Sequence, residues 1–293
     1  MNWDDLKLFL AVSRQPRLEQ AAANLKIDPT TLSRHLRRLE ISLGQTLFER
    51  TRRGHILTAQ GEDLVEHAEA MESASLALLR AGEKDQAITG KIRLGVTEGF
   101  GTGVIAPSIR DFCDQWPSVE LDLITLSGFV SVSKREADMS ILLARPQTGR
   151  VRVRKLTDYR LQLYASRPYL ERAQAIQSIA DLAAHRLIGY VDDLIYAPQL
   201  RYFGDTLPGL SPHICSPSIL GQLEMTRSGL GLCILPNFLA RRHDELVKVL
   251  GDDVAVDRTF WLATHEDVKD FARIRLMTDY LVSLVKTRAE TFR

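Results

Sequence analysis

The 293-residue chain is short of several things, and each shortage removes a class of protein. It has three cysteines, Cys113, Cys215 and Cys233. They are too few and too scattered for a disulfide framework, and an odd count with no close pair fits a reducing compartment. No apolar run approaches the roughly 20 residues that span a bilayer, so no membrane partner is expected. The opening "MNWDDLKLFLAV" carries acids where a secretory signal needs positive charge, and its apolar run is short. These absences predict a cytoplasmic protein. The seven histidines are scattered, none at metal-ligand spacing from a cysteine or carboxylate. "GVTEGFGTG" lacks both the G-x-G-x-x-G spacing and the lysine of a phosphate-binding loop. A G-x-S-x-G nucleophile elbow is absent too. Hence no catalytic residue, no metal and no cofactor are expected, and an enzyme is the weakest of the available readings.

Net charge is +1, so the whole-chain average predicts no polyanion partner. That average hides a gradient. Through Thr58 there are ten Lys or Arg against six acids, and the next thirty or so residues are acidic. A basic block at one end suggests that this end meets an anion. Apolar residues make up 45% and charged residues 26%, an ordinary globular balance, and the length suits about two domains.

The basic end reads as short, tightly connected helices. Leu6, Phe9, Leu10 and Val12 give helical spacing over residues 3–13, with Asn2 as cap and Asp5 in the capping-box position. "RLEQAAANLKI" makes a second helix. A third starts at Asp28 and Pro29, a good N-cap and first helical residue, and stops at Gly44. About three residues separate the second helix from the third, so the two must cross steeply, as in a helix-turn-helix. On the third helix Leu32, Leu36 and Leu39 face a core, while Arg34, Arg37 and Arg38 share the other side. "RTRRGH" and "HILT" then read as a basic turn and a returning strand, a hairpin-like wing carrying Arg50, Arg52 and Arg53. Thr58 caps a long helix over residues 59–81 with a narrow apolar seam, the pattern of a helix that pairs with another.

A solvated face on a bundle helix would account for the arginines of the third helix if it stood alone. The second basic element beside it favours a clamp on a duplex backbone. The second helix of a helix-turn-helix puts its first residues at base edges in the major groove. Thr30, Thr31, Ser33 and Arg34 are the base-reading candidates. Arg37, Arg38, Arg50, Arg52 and Arg53 are the phosphate contacts. His35 has no role in this reading.

From Leu6 to Gly61, the residues Phe9, "AAANL", "TTLSRHLRRLE", "LGQTLFERT" and "LTAQG" together resemble the LysR-type transcriptional regulators. After "GEKDQAITG", which reads as a hinge, strands alternate with helices, an open α/β pattern. There "IRLGVTEGFGTGVIAP", "READMSI", "LYASRPYL" and "LGLCILP" look like that family's effector-binding part. The resemblance covers essentially the whole chain. It implies an α/β protein with an N-terminal all-α winged helix-turn-helix, a long linker helix and a two-lobed, periplasmic-binding-protein-like effector domain. The expected division is 1–58 for DNA binding and 59–89 for the linker and hinge. Lobe I would be 90–164 with 260–293, and lobe II 165–259. Double-stranded DNA, a small-molecule effector, a second copy of the chain in a homodimer or homotetramer, and RNA polymerase are the implied partners. The chain departs from the pattern at "PRLEQAA", where the family often has small polar residues, and at Thr30-Thr31, where many members have Pro-Ala. The helix expected between "TLSG" and "READ" would be truncated or replaced by a loop.

In a two-lobed domain the effector would sit at strand ends facing helix N-termini. Thr97, Glu98 and Phe100 follow the first strand, with backbone amides around Gly99, Gly101 and Gly103 as anion donors. Ser127, Gly128 and Phe129 end the second strand, and Ser216 and Ser218 open a later helix. Tyr196 and Phe203 would add apolar wall, although ordinary core or loop packing is the stronger account of both. Ordinary turn chemistry explains Gly and Ser at strand ends equally well. Glu98 argues against a simple carboxylate ligand, since it brings negative charge to the place. A small-molecule binding protein with an oligomerising N-terminal arm would share the α/β part but needs no basic face. Cys233, in an apolar strand, is expected to be buried and inert.

Overall fold

The computed structural model describes residues 2–52, 54–81, 88–126 and 137–293. The chain forms two compact units, Met1–Gln86 and Ala87–Arg293. Arg53, Ser127, Gly128 and Phe129 lie outside the described residues, as does the segment where a truncated helix was expected.

In the first unit, helix α1 spans Trp3–Arg14, α2 Leu18–Leu25 and α3 Pro29–Leu43. Strands β1 (Phe48–Thr51) and β2 (Gly54–Leu57) make an antiparallel hairpin, and α4 follows over Ala59–Ala81. Asn2 caps α1 by accepting from the Asp4 amide. Asp5 does not complete a capping box; its carboxylate turns inward, only 2% exposed. Asp28 caps α3 by accepting from the Thr30 amide at 2.8 Å. Gly44, at φ 65, closes α3 in the left-handed region that glycine enters without penalty. Leu6, Phe9 and Leu10 of α1 meet Leu32, Leu36 and Leu39 of α3 in one core, where Phe48 anchors the hairpin 5.3 Å from Phe9. Gly54 has φ 113, and a Cβ there would lie 2.4 Å from the Pro16 carbonyl oxygen. The hairpin therefore presses its tip residue directly on the turn after α1.

The second unit is built on a nine-stranded mixed sheet. Its strands are β3 (Gly90–Thr97), β4 (Val119–Leu126), β5 (Met139–Leu142), β6 (Val151–Ser166), β7 (Leu187–Gly189), β8 (Ile214–Cys215), β9 (Leu232–Pro236), β10 (Leu246–Lys248) and β11 (Ala255–His265). The order is β4-β3-β5-β11-β6-β9-β7-β8, with β10 also on β6. One parallel group, β4-β3-β5, and another, β9-β7-β8, flank the antiparallel pair β6 and β11. β6 is 16 residues long and pairs with β11 from Val151 to Gln162. "LQLYAS" is thus the end of a strand that begins at Val151.

Helices cover the sheet: α5 (Glu98–Phe100), α6 (Arg110–Gln115), α7 (Arg167–Arg172), α8 (Phe203–Thr206), α9 (Ile219–Arg227), α10 (Asn237–Ala240), α11 (Ala272–Thr287) and α12 (Ala289–Phe292). Two expected helices take tighter or looser forms. "SIADLAAH" is a 3-10 turn, and "VIAPSIRDFCDQW" yields only α6, preceded by a π-helical turn over Gly101–Ile105. No described helix is long and apolar enough to cross a membrane.

Candidate DNA-reading face and ligand cavity

On α3, Thr30 and Arg34 are exposed, Thr31 and Ser33 half-buried, and Arg37 and Arg38 exposed. Arg50 and Arg52 on the hairpin are exposed as well. The hairpin reaches α3 directly, since the Arg50 guanidinium donates to the Ser33 hydroxyl at 3.5 Å. Glu40 fixes the same junction. Its Oε1 accepts from the amides of Leu47 and Phe48, at 2.8 and 3.4 Å, so the helix side chain holds the first strand by its backbone. Among the described residues Arg34, Arg37 and Arg52 have no ion-pair partner, which leaves their charge for something outside the chain. Burial, and then the Arg50 charge, push the His55 imidazole below its ordinary range. At neutral pH the hairpin's positive charge is that of its arginines.

Arg38 differs from the other two arginines of its helix. Its Nε donates to Asp5 Oδ2 at 2.9 Å and its Nη2 to Asp5 Oδ1 at 2.5 Å, a bidentate pair. His35 Nδ1 sits 2.6 Å from the same carboxylate. The hydrogen bond from Arg38 holds the Asp5 carboxyl below the usual aspartate range, against burial, with His35 adding to the effect. Arg38 and His35 therefore clamp α3 to α1 through a buried acid, and only the free edge of Arg38 remains for a phosphate. No periodicity points to this triad; the signal is an acid on the inner face of α1, beside Leu6 and one turn before Phe9.

In the second unit, a narrow cavity with a volume of 40 Å³ opens beside the end of β3. A single water needs roughly 10–15 Å³ of such space, so the cavity holds a few waters or a small group. Of the residues singled out in the sequence, Thr97, Glu98, Phe100 and Tyr196 line it. So do Tyr159, Tyr190, Tyr202, Phe238 and Phe260, which sequence reasoning did not find. These come from strands and loops far apart in the chain, where each looks like ordinary core. Tyr159 stacks on Phe260 at 4.1 Å, and Phe100 packs edge-on to Phe260 at 4.6 Å. Burial pushes the Tyr196 phenol up to about 12, and the Glu98 charge adds to it. Burial also raises Tyr159 and Tyr190.

Glu98 is the polar centre of this cavity. Its Oε1 accepts from the Ser218 hydroxyl at 2.8 Å and its Oε2 from the Ile219 amide at 3.0 Å. Ser218 is also the N-cap of α9, accepting from the Gly221 amide. Ser216 stands behind it, its hydroxyl accepting from the Ser218 amide, outside the cavity lining. Two glycines of "EGFGTG" are required by packing. A Cβ at Gly101 would lie 2.3 Å from Thr125 Cγ2, and one at Gly103 would lie 2.4 Å from Leu239 Cδ2. Cys233 is buried, and burial raises its thiol far above the ordinary range. Cys113 and Cys215 are exposed.

Comparison with known proteins matches both units. Residues 3–62 fit the bacterial regulatory helix-turn-helix protein, lysR family, and residues 85–286 fit the LysR substrate binding domain. The Mau operon transcriptional activator of Paracoccus denitrificans is 27% identical over 290 residues, covering 97% of this chain and 96% of the relative. The regulator CrgA of Neisseria meningitidis serogroup C is 26% identical over 292 residues, covering 96% of each. Among solved structures, CrgA, a LysR-type transcriptional regulator from Neisseria meningitidis, superposes with a TM-score of 0.61 at 24% identity, over 97% of this chain and 98% of that one. A full-length OxyR variant from Pseudomonas aeruginosa superposes with a TM-score of 0.69 at 19% identity, over 98% of each. With both its units matched in order and nearly end to end, the chain belongs to the LysR-type transcriptional regulators.

Proposed function

We propose that this regulator reads DNA with the start of α3 and grips the flanking backbone with the hairpin. Thr30, Thr31, Ser33 and Arg34 meet base edges, while Arg37, Arg50, Arg52, Arg53 and the free edge of Arg38 contact phosphates. The observation that carries this reading is the set of arginines without an ion-pair partner among the described residues, Arg34, Arg37 and Arg52, on one helix and the strand pair beside it. A helix face meant only for water more often pairs its charges along the helix.

The second unit takes a small-molecule effector in the aromatic cavity, with Thr97, Glu98, Phe100 and Tyr196 in contact. Ser216 and Ser218 support it from the start of α9, and Ser127, Gly128 and Phe129 stay effector contacts on the sequence pattern alone. The two parallel strand groups act as lobes: 90–164 with 260–293 as one, 165–259 as the other. Residues 1–58 form the DNA-binding domain and 59–89 the linker. Leu78, 77% exposed, and Met71 on α4 present apolar side chains that a second copy of α4 would cover, giving a dimer and, by a further contact, a tetramer. The effector acts by favouring one arrangement of these copies over another, and the bound duplex and RNA polymerase respond to that arrangement. The protein works in the cytoplasm and has no catalytic step.

The test is retardation of genomic duplex fragments by the full chain across a range of salt. A steep linear fall of log affinity with log salt, with one set of fragments bound far above the rest, is expected. Failure to retard any duplex at low salt would sink the reading and leave a small-molecule binding protein with an oligomerising arm.

A further inference from the structure

Glu98 decides what the cavity can accept. A free anion binds well at a helix N-terminus, where unpaired amides and the helix dipole converge. In this chain the N-terminus of α9, a nine-residue helix, is already taken by the Glu98 carboxylate, through the Ser218 hydroxyl and the Ile219 amide. The Ser218 oxygen accepts from Gly221 and so has its proton turned toward Glu98. The seat that would hold a ligand's carboxylate is filled from within the chain.

The rest of the lining points to the opposite charge. Among the sixteen described residues that line the cavity, Glu98 carries the only formal charge, and seven are tyrosines or phenylalanines. Aromatic faces are electronegative and attract ammonium groups, the more so away from water. Tyr159, 5% exposed, lines the cavity and stacks on Phe260. Nearby, the Arg258 guanidinium is directed to the backbone carbonyls of Gln199 and Asp257. Each Glu98 oxygen accepts one hydrogen bond and keeps capacity for another.

We propose that the effector carries a compact ammonium group, held by Glu98 and the tyrosine faces, and that Glu98 excludes carboxylate effectors from the cavity. This rests on the reading of the cavity as the effector site. It also assigns a route for the signal, because an ammonium that draws on Glu98 competes with the hydrogen bonds that tie the end of β3 to the start of α9.

The experiment uses the full chain, its Glu98→Gln and Glu98→Ala variants, and three probes of similar size: n-butylamine, n-butanol and butyrate. Calorimetric titration at constant ionic strength reads affinity. Butylammonium should bind the wild-type chain and butyrate should not. In E98Q, which keeps an acceptor for α9 and hence the fold, the preference for butylammonium over butyrate should fall by about tenfold or more. In E98A the emptied seat should take butyrate. A wild-type chain that binds butyrate as well as butylammonium overturns the proposal. So does one that does not bind butylammonium, or an E98Q variant with the wild-type preference. Duplex retardation by the same samples is read in parallel. Loss of butylammonium binding with DNA binding intact defeats only this inference, whereas absence of DNA binding in the unliganded wild-type chain defeats the regulator reading.

Discussion

The two candidate sites are built in opposite ways. The proposed DNA-reading face comes from a stretch of some two dozen residues, Thr30 to Arg52, and its chemistry is charge without an ion-pair partner among the described residues. The cavity draws on residues from Thr97 to Phe260, and its chemistry is aromatic surface taken out of water around one carboxylate. A local site can be read from spacing, because helical periodicity alone puts Arg34 and Arg37 on one side and the leucines on the other. A site assembled by a sheet cannot, because only the order β5-β11-β6-β9 brings Tyr159 and Phe260 to the same place as the end of β3. The two sites should therefore fail differently when altered.

The largest effect belongs to the aromatic site. Phe260→Ala removes a side chain 2% exposed that stacks on Tyr159 and packs on Phe100. It should cost about 3–5 kcal/mol, measured by urea unfolding of the full chain. An unchanged midpoint would show the cavity wall to be loosely packed. Next is Arg34→Ala, which should leave unfolding unchanged and cost about 1–3 kcal/mol of binding to preferred duplexes only. Equal losses on all duplexes would remove Arg34 from base reading.

Asp5→Asn probes the support beneath the reading helix and should destabilise by about 1–2 kcal/mol at neutral pH. The folded Asp5 carboxyl lies below its ordinary value, chiefly through Arg38. Its stabilising contribution is therefore complete above the ordinary aspartate value of about 3.9 and is lost as pH falls through the lower folded value. The variant should show a flatter decline of urea midpoint over that acid range, and an identical decline would rule out the pair as its source. The smallest effect is Arg52→Ala, a uniform loss across all duplexes with the salt slope reduced by about one. A sequence-selective loss would move Arg52 from phosphates to bases.

Much of the first unit was legible because its signals are local. Asp28-Pro29 and Gly44 delimit α3 through their own backbone chemistry. The inward turn of Asp5 was not legible, since it depends on His35 and Arg38 arriving from thirty residues away. In the second unit, the buried run "LGLCILP" announced β9, while β6 looked like a short strand because polar residues such as Arg152 and Arg154 interrupt its first half. The alternating exposure at the start of that half is the period-two signal of a strand with one face in water. Glu98 was recognised as an obstacle to an anionic ligand. That its carboxylate would find the cap of α9 followed only from the crossing of the chain between Thr97 and Ser218.

Glu40 has a consequence for how an operator must be shaped. By hooking the Leu47 and Phe48 amides, it ties α3 to the first strand of the hairpin, so on the proposed reading the two meet a duplex as a gauge with two jaws. A gauge of that kind does not adapt to its workpiece. Where a duplex is too wide or too straight for the interval, the misfit falls on the DNA as bending or groove compression, and sequences that deform easily gain affinity at bases the protein never touches.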